Sequence, residues 1–159
     1  MVDIPAITGK KLNWLRLGNT FQLQDGKTVI CTQCSDSVGV AYSFPEGLIV
    51  INKKGMLHPR LEIVASGDLL AILSDPHSFE PHLRFEDGAV FLLSYLNDPG
   101  TAMAFFDNEL CNIMEFTDVS TWSEPRIEVM INREIDERYS KVMLTLGHYI
   151  LMDRAGIRD

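Results

Sequence analysis

No apolar run in these 159 residues approaches the roughly 18 that a membrane-spanning helix requires. The opening MVDIPAITGKK also lacks the charged-then-apolar order of a secretory signal. Both absences place the chain in the cytoplasm with no membrane partner. Cysteine is scarce, with only Cys31, Cys34 and Cys111. An odd number of thiols, in a chain long enough to need no staple, fits a reducing compartment, although a mature secreted chain without its signal would look similar. The glycines are scattered, so neither G-x-x-x-x-G-K nor G-x-G-x-x-G is present, and no serine sits in a G-x-S-x-G elbow. Repeats, low-complexity tracts and linker-like runs are missing too, which leaves one domain over 1–159.

Basic residues are nearly missing from the middle of the chain. Residues 61–125 hold one, Arg84, against twelve Asp or Glu. By contrast, residues 1–60 are net +3 and residues 126–159 are neutral, together giving the formal charge of −8. A segment this acidic repels a phosphate backbone, which excludes nucleic acid as its partner. Acidic turns of this kind keep a domain in solution. The sharper reading is an acidic surface of Glu80, Glu86, Asp87, Asp98, Asp107 and Glu109 matched to a basic partner or a cation.

What is present is an ordinary globular composition, 46% hydrophobic and 23% charged, long enough to bury roughly two thirds of its unfolded surface. Turn residues punctuate short apolar runs. Asp25-Gly26 separates FQLQ from KTVICTQ, Pro45-Glu46-Gly47 separates VGVAYSF from LIVINKK, and Glu86-Asp87-Gly88 separates HLRF from AVFLLSYL. Each reads as a hairpin. Asn97-Asp98-Pro99-Gly100 then turns the chain into TAMAFFD, making a meander. Residues 10–18 fit either a strand or a short helix, as do 108–116, while LLAILSD after Ser66-Gly67-Asp68 reads as a short helix that Pro76 closes.

The longest periodic stretch is Ser123–Gly156. Ile127, Ile131, Ile135, Tyr139, Val142, Leu146 and Ile150 recur every three or four residues, the spacing of one helical face. A single helix with Ser123 as N-cap is favoured, although Ile127, Val129 and Ile131 also alternate as in a strand. Arg154, Gly156 and Ile157 supply the C-terminal stop. The fold class expected is therefore α+β: six to nine antiparallel strands, in a sheet that is curved or barrel-like, packed with a long C-terminal helix. That outline resembles the ligand-binding helix-grip proteins, without the helices they carry after the first strand.

Cys31-Thr32-Gln33-Cys34 has the spacing of half a zinc site, and Cys111 with His77 or His82 could complete it. On a strand, however, positions three apart point to opposite faces. The loop Asp75, His77, Glu80, His82, with His58, offers imidazoles and carboxylates for a metal or for acid–base chemistry, yet its composition is that of a turn. Trp14, Trp122, Phe105 and Phe106 suit a core or a pocket.

The back half of the helix, VMLTLGHYILM at 142–152, is apolar around its whole circumference, so something covers all its sides. Either the sheet wraps it, or a partner or second subunit covers Leu144, His148 and Leu151. The functional expectation is a non-catalytic interaction protein without cofactor: an acidic adaptor, chaperone-like factor, inhibitor or assembly subunit that self-associates or binds a partner through this helix. The alternatives are a small enzyme or zinc-binding protein using the 75–82 loop, and a carrier of a small apolar ligand.

Overall fold

The computed structural model describes residues 10–35, 39–76, 78, 80–97 and 100–155. Twelve strands come first: β1 (Lys10–Leu17), β2 (Thr20–Asp25), β3 (Thr28–Ser35), β4 (Val40–Phe44), β5 (Gly47–Lys54), β6 (Arg60–Ala65), β7 (Asp68–Leu73), β8 (His82–Phe85), β9 (Val90–Tyr95), β10 (Ala102–Phe106), β11 (Asn112–Asp118) and β12 (Arg126–Ile131). A single helix, α1 (Glu137–Ala155), follows. Each strand pairs antiparallel with the next in sequence, and β12 returns to β1, so the sheet closes into a barrel. Closure leaves no unpaired strand edge to recruit another chain.

The three hairpin turns predicted at 25–26, 45–47 and 86–88 form where expected, while Asp98 and Pro99 of the fourth predicted turn lie outside the described residues. The β6–β7 turn adds another: Ser66 and Gly67 both have positive φ, 53° and 82°, the pair of left-handed conformations that a two-residue type I′ hairpin requires. Along each strand alternate residues face inward. Across the closing seam Leu12 opposes Val129 and Trp14 opposes Ile127; elsewhere Tyr42 opposes Ile49, Ile51 opposes Ile63 and Met103 opposes Phe116. All ten are buried and belong to one core.

Helix α1 runs down the middle of that core. Every residue from Val142 to Met152 is buried, and the helix touches β5, β10 and β11 from inside. Simple dimensions explain the fit. Twelve strands about 4.8 Å apart and tilted about 40° enclose a barrel roughly 24 Å across, enough for a 10–12 Å helix and one layer of side chains on each side. Strands of four to eight residues, most of them six or longer, at that tilt stand about 16 Å tall on average, the rise of about eleven helical residues. The eleven fully buried positions, 142–152, match it.

Several expectations are corrected here. There are twelve strands, not six to nine, because 68–73 is β7 rather than a short helix and both ambiguous segments, 10–17 and 112–118, are strands. Residues 126–131 are strand β12, not the first turns of the helix. The alternation of Ile127 and Val129 wins because this segment must close the barrel against β1 and β11. The N-cap is accordingly Asp136, whose carboxylate accepts the Arg138 backbone N–H at 2.9 Å. Gly156 and Ile157 lie outside the described residues. The structure also shows what covers Leu144, His148 and Leu151: they are 6%, 2% and 2% exposed, shielded by the barrel wall rather than offered to a partner. No helix among the described residues is long and apolar enough to cross a membrane.

Candidate binding site at the barrel mouth

Because neighbouring strands alternate in direction, the even-numbered strands end at one rim of the barrel, where β12 also hands the chain to α1. We call this rim the mouth and the opposite one the far rim. The turns at the mouth and the first turns of α1 carry ten carboxylates: Asp25, Glu46, Asp68, Glu86, Asp87, Asp107, Glu109, Glu134, Asp136 and Glu137. Against them stand five cations, Lys10 at the start of β1, Lys27, Arg133, Arg138 and Lys141. Four of the acids read from sequence as one surface, Glu86, Asp87, Asp107 and Glu109, do meet at this rim. Glu80 is at the far rim, and Asp98 lies outside the described residues.

Two hydrogen-bonded clusters lash the helix to the mouth. In one, Lys141 Nζ donates to Glu46 and lies 3.2 Å from Glu137 Oε1 and 5.5 Å from the centre of the Phe44 ring. Burial alone would lower the Lys141 pKa, but the hydrogen bonds and charges of Glu46 and Glu137 outweigh it and hold the ammonium protonated. In the other, the Tyr139 hydroxyl donates to Asp87. Arg138 lies 3.6 Å from the same carboxylate and donates from Nε to Asp136 Oδ1 at 3.1 Å. The Tyr139 ring packs on Phe85 and Phe91, 4.5 and 5.4 Å between centres.

The hydrogen bond from Tyr139, aided by the Ala89 backbone N–H, holds the Asp87 carboxyl below its ordinary pKa, and the same bond raises that of the Tyr139 phenol. The two signs define a window. A depressed carboxyl contributes stability above the unfolded carboxyl pKa and loses it as pH falls through the folded value. A raised phenol contributes below the unfolded phenol pKa and loses it as pH rises through the folded value. The latch is therefore at full strength between about pH 4 and 10. We predict that Asp87→Asn shifts the Tyr139 ionisation, followed by ultraviolet absorbance, down toward that of free tyrosine; an unchanged titration would rule the latch out.

Between the clusters is a cleft of about 230 Å3 with an apolar floor of Phe44, Leu48, Ile49, Ala65 and Leu70 and a rim of Glu46, Glu137, Arg138 and Lys141. A smaller recess of about 140 Å3 adjoins it, shares Leu70 and Arg138, and reaches Glu86, Asp87 and Tyr139. Ser66 also lines the cleft, so a serine and a lysine share one site. The lysine is held protonated by two carboxylates and cannot take a hydroxyl proton at neutral pH. The arrangement suits binding.

A second polar cluster sits deep in the lumen. The Tyr42 hydroxyl and His148 Nδ1 are 2.8 Å apart, Trp14 lies against the imidazole at 4.4 Å, and Phe21 meets it edge-on at 4.6 Å. This closes the barrel around the helix and is shut off from solvent. Tyr42→Phe would remove this hydrogen bond from the buried His148, and we expect a loss of about 1–3 kcal/mol in urea melts. A loss below about 0.3 kcal/mol would show the bond to be dispensable.

The other sequence candidates are dispersed. Cys31 points into the lumen, 1% exposed, and burial together with the neighbouring Cys34 pushes its thiol up to about 12; Cys34 is exposed and Cys111 half-exposed. No group of three or more metal-ligating side chains occurs among the described residues. The three-cysteine zinc arrangement weighed from sequence is not assembled among the described residues, and Cys31 and Cys34 face opposite sides of the wall. In the 75–82 loop, Glu80 and His82 are exposed, and His77 lies outside the described residues. His58 is exposed at the tip of the β5–β6 loop. Trp14 and Phe105 are core, whereas Trp122 is 99% exposed at the far rim.

Sequence reasoning missed Phe44, Leu48 and Leu70 as a binding floor, and Glu46, Glu137, Arg138 and Lys141 as its rim. The floor joins β4, β5 and β7 to α1, some ninety positions later, and only the closed barrel makes those segments neighbours. No protein-family model matches this chain, and no curated protein or solved structure matches it either.

Proposed function

We propose that this protein is a non-catalytic acidic adaptor or assembly subunit that captures a basic segment carrying an apolar anchor residue at its barrel mouth. One observation carries the reading: an apolar cleft lies open beneath a rim where carboxylates outnumber cations by ten to five. The apolar floor supplies affinity by burying an anchor side chain, and the carboxylates steer and select a positively charged partner. Other modes of recognition have less support. A helix occupies the lumen, where a hollow barrel would carry an apolar ligand. The sheet has no free edge for strand addition. At about 230 Å3 the cleft is below the roughly 300–1,000 Å3 of sites that engulf a drug-sized molecule, and it suits side chains inserted from a larger partner.

The test is binding of fluorescent lysine- and arginine-rich peptides that each carry one leucine or methionine. Affinity should fall steeply with ionic strength and at least about tenfold in Leu48→Lys, which places a cation on the apolar floor at a half-exposed position. Binding that Leu48→Lys and Glu46→Gln leave unchanged, or no binding at low ionic strength, would overturn the reading.

A further inference from the structure

The far rim of the same barrel presents a segment with the chemistry the mouth calls for. The β5–β6 connection reads Lys53-Lys54-Gly55-Met56-Leu57-His58-Pro59-Arg60. Met56 and Leu57 are 97% and 88% exposed, far more than single surface apolar residues usually are in a hairpin that packs on its own barrel. Lys53 and Lys54 are exposed and enter none of the ion pairs among the described residues; Arg60 pairs only with its strand neighbour Glu62. The loop is thus a cationic hairpin tip with two apolar side chains at its apex.

We infer that a second copy of this chain is an occupant of the mouth cleft, inserting its Met56–Leu57 tip onto the Phe44, Leu48 and Leu70 floor. Its Lys53, Lys54 and Arg60 then face the carboxylates of the first copy's rim. This rests on the function proposed above and names a partner for it. The rim stays net negative despite its own ion pairs, because Lys141 is shared by Glu46 and Glu137 and Arg138 by Asp136 and Asp87, two acids to each cation, while Asp68 and Glu86 enter no ion pair among the described residues. The contact cannot form within one molecule. The tip and the cleft lie at opposite ends of a barrel threaded by a 19-residue helix, about 28 Å long at 1.5 Å per residue. A patch at one end that binds a different patch at the other end is a heterologous contact, so copies add head to tail into rings or open chains and do not stop at a two-fold dimer.

Sedimentation of the full chain across a concentration series tests this. At low ionic strength the wild type should sediment faster as concentration rises, and high salt should reverse the effect. Met56→Ser/Leu57→Ser removes the tip and leaves the cleft, whereas Leu48→Lys blocks the cleft and leaves the tip. Each variant alone should remain monomeric, while their mixture should form a one-to-one dimer, because one tip and one cleft survive between them. Both substitution sites are exposed, so circular dichroism should match wild type. A wild type that is monomeric throughout, or a mixture that does not pair, would overturn the inference.

The peptide KKGMLHPR separates this inference from the function beneath it. If other basic, apolar-anchored peptides bind the mouth and this one does not, self-association falls and the proposed function stands. If none binds, both fall. Monomeric wild type that instead sediments with anionic phosphatidylserine vesicles, and loses that binding in Met56→Ser/Leu57→Ser, would reassign the tip to a membrane surface.

Discussion

Replacing Gly147 with valine is expected to remove several kcal/mol of stability, a large share of the roughly 5–15 kcal/mol that holds a domain folded. Glycine in the middle of a helix is itself unfavourable, by about 1 kcal/mol relative to alanine, so its presence in a 19-residue helix needs a cause. The cause is Phe116 on β11. A Cβ at position 147 would stand 2.3–2.5 Å from three atoms of its ring, much closer than carbon atoms approach. The ring has no free space to move into: Phe116 is fully buried and packs edge-on against Phe105 at 6.0 Å. Alanine should recover the helix propensity and still lose a net 1–2 kcal/mol or so to overpacking, with valine losing more. Urea denaturation reads both. Gly147→Ala combined with Phe116→Leu should be more stable than the sum of the single changes, because the smaller side chain makes room for the new methyl. A midpoint unchanged by valine would mean that helix and wall are not in contact there.

Leu144→Glu with Leu151→Glu should abolish folding. Both leucines lie inside the barrel, where a carboxylate would have neither water nor a cation, and each substitution costs several kcal/mol or forces the acid to stay protonated. The measurement is near-ultraviolet circular dichroism together with limited proteolysis, and the expected outcome is an unfolded or aggregated chain. A folded, monomeric double variant would instead mean that the helix docks on the outside and that its leucines serve a partner. The contrast with Met56→Ser/Leu57→Ser is instructive. Two pairs of apolar residues, one fully enclosed and one almost fully in water, should give opposite phenotypes: loss of fold, and loss of association with the fold intact.

Much of the architecture was legible where the signal is local. Asp25-Gly26 and Glu86-Asp87-Gly88 marked their hairpins because turn conformation depends on a few adjacent residues. The all-round apolar character of 142–152 announced enclosure on every side. What could not be read was who encloses it, since that depends on strands drawn from the whole chain. The strand at 126–131 was hidden for a related reason. Ile127 and Ile131 satisfy both periods, and only pairing with β1 and β11 decides between them. The zinc reading of Cys31 and Cys34 was already weakened by strand geometry, and the structure places the two thiols as that geometry requires. The binding cleft left no mark in the sequence because its floor and rim meet only after closure.

The order of the chain has a kinetic consequence. The ring is sealed by pairs such as Leu12 with Val129, separated by most of the sequence, and the segment that must lie inside the ring follows every strand that forms it. A helix cannot thread a finished barrel of this bore with its side chains in place. The seam must therefore zip after the helix has docked, with β1 or β12 held open until then. Such long-range closure folds slowly and keeps apolar strand faces and unpaired edges exposed meanwhile. During synthesis all twelve strands emerge before the helix that fills the barrel. The protein's most vulnerable moment thus comes before the α1 segment has left the ribosome, when the barrel is a curved apolar sheet awaiting its own axle.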